Sequence, residues 1–136
     1  MKVKLDEGAF APVRAHALDA GLDLKSPIGC VVPAGGDAII DTGVHVEVPH
    51  GYVGMLKSKS GLNVKHGITS EGVIDAGYTG SIVVKLYNNS TEDYHVECGD
   101  KITQLVILSV YIDDVEIVEE LRASERGNVG FGSTGK

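Results

Sequence analysis

Five stretches of this chain combine residue types that can handle a phosphorylated ligand. The stretch "LKSKSGLN" puts Lys57, Ser58, Lys59, Ser60 and Gly61 at the end of a strand-like run. Ammonium groups, hydroxyls and a permissive backbone suit a local anion site, and a solvated turn is the competing reading. In "GVIDAGYTG" the apolar pair Val73-Ile74 runs directly into Asp75, followed by Gly77 and Tyr78. A carboxylate held just past a buried strand can act as a general base, and a nearby tyrosine offers a flat wall to a sugar or ring. The alternative is a turn whose Asp bonds its own backbone. The stretches "AGLDL" and "CGDKITQL" set Asp23 and Asp100 beside glycines, where acids could hold Mg²⁺ directly or through water. Asp100 also fits a hairpin turn, and Gln104 alternates onto a strand face from which it reaches either a ligand or solvent. In "RGNVGFGSTGK", residues 130–136 match G-x-x-x-x-G-K but lack the Ser or Thr and the helix that a phosphate loop requires.

The elements that must position these groups read as short strands. Runs such as "MKVKL", "LDLKS", "GCVVP", "DAIIDTGVHVEVP", "GYVGMLKS", "SIVVKLYNN", "DYHVE", "KITQLVILSVYI" and "DVEIVEE" are separated by turn signals at Pro33–Gly36, Pro49–Gly51 and Asn88–Ser90. That spacing predicts an all-β sandwich or barrel. Alternation is clearest where Val44, Val46 and Val48 face one way and His45 and Glu47 the other. The best candidate for a helical turn is "SGLNVKHG", with Gly67 as its cap. The last dozen residues turn glycine-rich, and their composition predicts a flexible tail.

At 136 residues the chain fits one domain with a real core. A formal net charge of −7 argues against a general nucleic-acid or membrane binder, since such affinity needs clustered Lys and Arg. Cys30 and Cys98 have no C-x-x-C spacing and read as reduced thiols. The histidines lack metal-site spacing, and no G-x-S-x-G elbow is present. The start "MKVKLDEGAF" has no signal-peptide core and no apolar run reaches membrane-spanning length, so the expected location is the cytoplasm.

Taken in order, the motifs resemble the five sequence motifs of the trimeric deoxyuridine triphosphate nucleotidohydrolases, the dUTPases. "AGLDL" is similar to the first, "KSKSGL" to the second, "GVIDAGYTG" to the third, "GDKITQL" to the fourth and "RGNVGFGSTG" to the fifth. The resemblance implies an all-β, jelly-roll-type β-barrel over residues 1–124 and a flexible glycine-rich C-terminal arm over residues 125–136. It also implies a homotrimer with active sites shared between subunits. The implied reaction is Mg²⁺-assisted attack of water on the α-phosphorus of dUTP, releasing dUMP for thymidylate synthesis and pyrophosphate. Asp75 resembles the family's water-activating carboxylate, which also touches the deoxyribose. Tyr78 resembles the tyrosine that packs beneath that sugar. Lys59, Ser60, Gly61 and Gln104 resemble phosphate ligands, and Asp23 resembles the aspartate linked through water to Mg²⁺. In the arm, Arg126, Ser133 and Thr134 resemble groups at the γ-phosphate, Phe131 the ring stacked over uracil, and Gly132 a further substrate-binding residue. Uracil is read in this family largely by backbone, here within residues 68–75.

Lys59 stands where the family usually has arginine, which keeps the charge and loses the planar fork. Ser109 and Arg122 stand where proline is common. A dCTP deaminase of the same fold would want a glutamate on the strand reading "IVVKLYNN" and usually a phenylalanine at Tyr78. A regulatory, partner-binding protein built on the same fold is the other alternative.

Overall fold

The computed structural model describes residues 1–130. Its strands are β1 (Lys2–Leu5), β2 (Gly21–Lys25), β3 (Cys30–Val32), β4 (Asp37–Glu47), β5 (Tyr52–Lys57), β6 (Ile68–Ile74), β7 (Ser81–Asn88), β8 (Tyr94–Val96) and β9 (Lys101–Ser109), with one helix, α1 (Ser60–His66), between β5 and β6. Seven strands form one antiparallel sheet in the order β1-β4-β7-β6-β5-β9-β2, and β3 pairs with β8 separately. The long sheet curls into a jelly-roll-type, all-β barrel, as the strand spacing predicts.

The curl encloses a core drawn from every strand but β1: Leu24, Val32, Ile40, Val44, Val46, Leu56, Ile68, Ile74, Ile82, Val84, Leu86, Val96, Ile102 and Leu105 are all buried. Alternation along the strands places most of them there. In β7, Ile82, Val84 and Leu86 point inward while Val83, Lys85 and Tyr87 face out, because successive side chains leave opposite faces of a strand. Removing that apolar surface from water is the main stabilising term. The predicted inward set Val44, Val46 and Val48 is buried.

Turn chemistry agrees with the residues. Gly36 N donates to Pro33 O at 2.9 Å and Tyr52 N to Pro49 O at 3.1 Å. The expected helical turn forms α1, closed by Gly67 in left-handed backbone at φ 67. Asp100 is a turn residue, its Oδ2 accepting from Glu97 N at 2.9 Å.

Two sequence expectations need correction. The strand-like run "DVEIVEE" forms no strand, and β9 stops at Ser109, before "VYI". Residues 110–121 have no regular secondary structure, with Ile112, Val115, Ile117 and Leu121 exposed, because no strand of the described residues lies alongside to accept their ladder bonds. Conversely β6 begins at Ile68, well before the Val73-Ile74 pair that announced it. Its inward positions are Ile68, Ser70 and Ile74, and the buried serine hides the alternation. Among the described residues no helix is long and apolar enough to cross a membrane. Cys30 and Cys98 are both unpaired.

Candidate active site in two halves

The first half forms where β5 ends. Lys57 sits opposite Gln104 of β9, and Gln104 sits opposite Asp23 of β2, so motif residues from three strands lie in one row. Beyond Lys57 the chain stays extended at Lys59 (φ −75, ψ 127) and enters α1 at Ser60, with no acidic residue in the helix's first turn. The first N–H groups of that turn therefore stay available beside Ser60 and Gly61.

A buried polar network fixes this strand end. Ser58 Oγ accepts from Ser70 N at 2.9 Å and donates to Ser70 O at 3.1 Å. The hydroxyls of Ser70 and Thr103 lie 2.7 Å apart, and Thr103 Oγ1 donates to Lys57 O at 3.1 Å. The hydroxyls of Ser58, Ser70 and Thr103 each have a partner, so the network holds Ser58 in one position just before Lys59 and Ser60.

Asp23 is buried, its side chain 6% exposed, and lies between two ammonium groups: Lys59 Nζ on Oδ1 and Lys101 Nζ on Oδ2 at 2.8 Å. Burial pushes its carboxyl up, but the Lys101 and Lys59 ammoniums outweigh this and hold it below the ordinary carboxylate value. One carboxylate and two lysines leave the half-site net positive, in a protein of net charge −7. Gln104 Nε2 donates to Ser58 O at 3.1 Å. Its side chain lies across Gly21, where an added Cβ would sit 2.2 Å from Gln104 Oε1. The glycine of "AGLDL" is there to let Gln104 pass.

The second half lies where β6 ends. Ile74 is buried and Asp75 emerges exposed at the start of the turn into β7. Tyr78 N donates to Asp75 O at 3.0 Å, closing the turn, and Tyr78 Oη donates to Ser81 O at 2.9 Å. A cavity of about 240 Å³ opens here, lined by Val73, Ile74, Asp75, Tyr78, Ser81 and Val83. Asp75 is its one carboxylate among the described residues, and Tyr78 supplies an aromatic wall.

The fold does not bring the halves together on one chain. β5 and β6 run antiparallel with Lys57 opposite Glu71 and Gly54 opposite Ile74. Three residues of strand, about 10 Å at 3.3 Å each, separate those pairs. Asp75 lies beyond one end and Lys59 beyond the other. Arg126 joins neither half: its Nε donates to Val129 O at 3.0 Å within an exposed segment. Phe131, Gly132, Ser133 and Thr134 lie outside the described residues.

Sequence reasoning passed over Lys101, Ser70 and Thr103, which hold Asp23 and Ser58 in place. The available signal was the physical need of a buried carboxylate for counter-charge, with Lys101 beside Asp100 in the same motif. No three His, Cys, Asp or Glu residues gather to hold a metal among the described residues. A divalent ion there would need most of its ligands from water and from the ligand's own phosphates. That is the way Mg²⁺ is usually held, and a single carboxylate acting through water fits it.

A family model described as dUTPase matches residues 8–135. The deoxyuridine 5'-triphosphate nucleotidohydrolase of Eremothecium gossypii is 45% identical, the match covering 99% of this chain and 90% of that protein. The enzyme of the same name from Clostridium acetobutylicum is 46% identical, covering 97% and 93%. Among solved structures, the Staphylococcus bacteriophage 80alpha dUTPase with dUPNHPP superposes with a TM-score of 0.92 at 34% identity, covering 99% of this chain and 98% of that one. A variant dUTPase from phage phi11 of S. aureus, described with a structural Mg(II) ion, gives 0.81 at 33% identity, covering 88% and 96%. With agreement across nearly its whole length in sequence and in fold, this chain belongs to the dUTPase family.

Proposed function

We propose that the protein hydrolyses dUTP to dUMP and pyrophosphate, at sites completed between the subunits of a homotrimer. The observation that carries this reading is the division of the motif residues into a cationic half and a carboxylate-plus-aromatic half, at opposite ends of the β5–β6 pair. Neither half suffices. A cyclic assembly that sets the phosphate half of one copy against the nucleoside half of the next makes a whole site. The uncovered apolar residues 110–121 support the same assembly, since an exposed alternating segment of this kind finds its cover on another chain.

In the assembled site, the deoxyribose packs on Tyr78 and the triphosphate runs toward Lys59, Ser60, Gly61 and Gln104. Asp75 takes a proton from water as its oxygen bonds the α-phosphorus; the bond from that phosphorus to the bridging oxygen breaks, and pyrophosphate leaves. A positioned base is worth about 10² to 10⁴ in rate. The lysines and backbone N–H groups stabilise charge developing on the phosphoryl oxygens. Mg²⁺, held by the triphosphate and through water by Asp23, would add neutralising charge at the phosphates. Residues 125–136 act as an arm over the site, with Arg126, Gly132, Ser133 and Thr134 at the γ-phosphate and Phe131 on the base. The two free cysteines suit a cytoplasmic protein.

The test is pyrophosphate release from dUTP, dCTP, dTTP and UTP with Mg²⁺ present. Selective cleavage of dUTP is expected, with Asp75→Asn binding dUTP and turning it over at least about 100-fold more slowly. Ammonia from dCTP, or normal turnover by Asp75→Asn, would overturn the assignment.

A further inference from the structure

His45 makes two bonds that a neutral imidazole cannot make together. Its Nδ1 lies 2.8 Å from the Thr79 carbonyl oxygen and its Nε2 lies 2.9 Å from Asp6 Oδ2. A carbonyl and a carboxylate only accept, so both ring nitrogens must donate, and only the imidazolium carries both protons.

The chain is shaped to aim this ring. β4 bulges between Asp41 and His45, with Gly43 in left-handed backbone at φ 64, and bulges turn the following side chains. The segment after β1 docks into the bulge: Asp6 N donates to Gly43 O at 2.9 Å, and a Cβ on Gly43 would come within 2.9 Å of the Ala9 Cβ. Asp41 accepts from Ser81 Oγ and from Gly43 N. The two bulge side chains thus grip the loop between β6 and β7 at Thr79 and the first residue of β7 at Ser81. That loop carries Tyr78.

We propose that His45, held as an imidazolium between Asp6 and Thr79, is a positioning residue for the loop bearing Tyr78, and that loss of its proton loosens the nucleoside half of the site. The proposal rests on the reading of Asp75 and Tyr78 as that half. The charged neighbours are few. Asp6 and Lys4 face the ring from the N-terminal side, with Lys4 Nζ 3.2 Å from Asp6 Oδ1. Asp41 acts from the bulge, and the loop contributes the uncharged Thr79 carbonyl. Asp6 first, and then Thr79 O, push the His45 pKa above its ordinary value, while Lys4 opposes them. His45 and then Lys4 push that of Asp6 down. The clamp is therefore complete between the lowered Asp6 value and the raised His45 value, and weakens as pH rises through the latter.

The experiment pairs an NMR titration of the imidazole nitrogens with KM for dUTP across pH. In the native protein both ring nitrogens should be protonated at pH 6, and KM should rise roughly 3- to 10-fold as His45 loses its proton, the effect of one lost hydrogen bond, with kcat moving less. His45→Gln should remove that inflection. Asp6→Asn, which keeps the ring and removes its carboxylate, should move the inflection to lower pH. A His45 ring that loses its proton at or below the ordinary imidazole value, or a His45→Gln profile parallel to the native one, would overturn the proposal. If the native protein fails to cleave dUTP, the functional reading falls, and the NMR pKa with the Tyr78 and Thr79 amide shifts still decides the clamp.

Discussion

Two inactive variants of this protein should restore each other when mixed. Asp75→Asn damages only the nucleoside half and costs about 10² to 10⁴ in rate. Lys59→Met combined with Gln104→Leu damages only the phosphate half, and losing a charge-assisted and a neutral contact costs about 2 to 4 kcal/mol, or roughly 30- to 1,000-fold. Register places these lesions beyond opposite ends of the β5–β6 pair. In a trimer assembled from equal parts, each site draws its halves from different copies, so the chance that both are intact is about one half times one half, or a quarter. The variants should be unfolded together, refolded, and assayed for pyrophosphate release, with the mixed composition checked by native mass spectrometry. Recovery to about 25% of native activity is expected. Activity no higher than the mean of the two separate variants, in trimers of verified mixed composition, would refute the shared-site reasoning, because a site within one chain would always carry one lesion.

Other perturbations follow from single contacts. Asp23→Asn leaves the Lys59 and Lys101 ammoniums facing each other without their carboxylate. Allowing for the partial exposure of both lysines, urea denaturation should give a loss of about 1 to 3 kcal/mol. Because the folded Asp23 pKa lies below the ordinary 3.8, its contribution is present above that value and lost as pH falls through the lowered one. The gap between native and variant stability should thus hold steady above about pH 5 and close in stronger acid. Gly21→Ala puts a methyl where Gln104 Oε1 now lies. The flexible Gln104 side chain should give way, costing about 1 kcal/mol of stability while raising KM for dUTP, and a crystal structure should find Gln104 detached from Ser58.

Much of the fold was legible because its strands obey a period of two. At the end of β4 no polar residue interrupts the inward row, so alternation alone placed Val44, Val46 and Val48 in the core. The first part of β6 was hidden because one of its inward positions is Ser70, whose burial is stabilised by Ser58 and Thr103, residues distant in sequence. "DVEIVEE" misled for the opposite reason. It alternates like a strand, yet a strand exists only where another edge accepts its bonds, and none among the described residues does.

The candidate site divides in the same way. By itself the sequence determined which residues are candidates to carry the chemistry, since the type and order of Asp23, Lys59, Ser60, Asp75, Tyr78 and Gln104 within their motifs are local properties. It also determined α1 and its Gly67 cap, set by short-range sterics. Only the tertiary structure decided where those residues stand. Lys101 joins Lys59 on Asp23, Gln104 lies over Gly21, His45 reaches from β4 to Asp6 and Thr79, and the two halves of the site face away from each other along β5 and β6. Each of these depends on register between strands far apart in the chain, and register is fixed by the packing of the whole sheet around its core rather than by any one strand's residues.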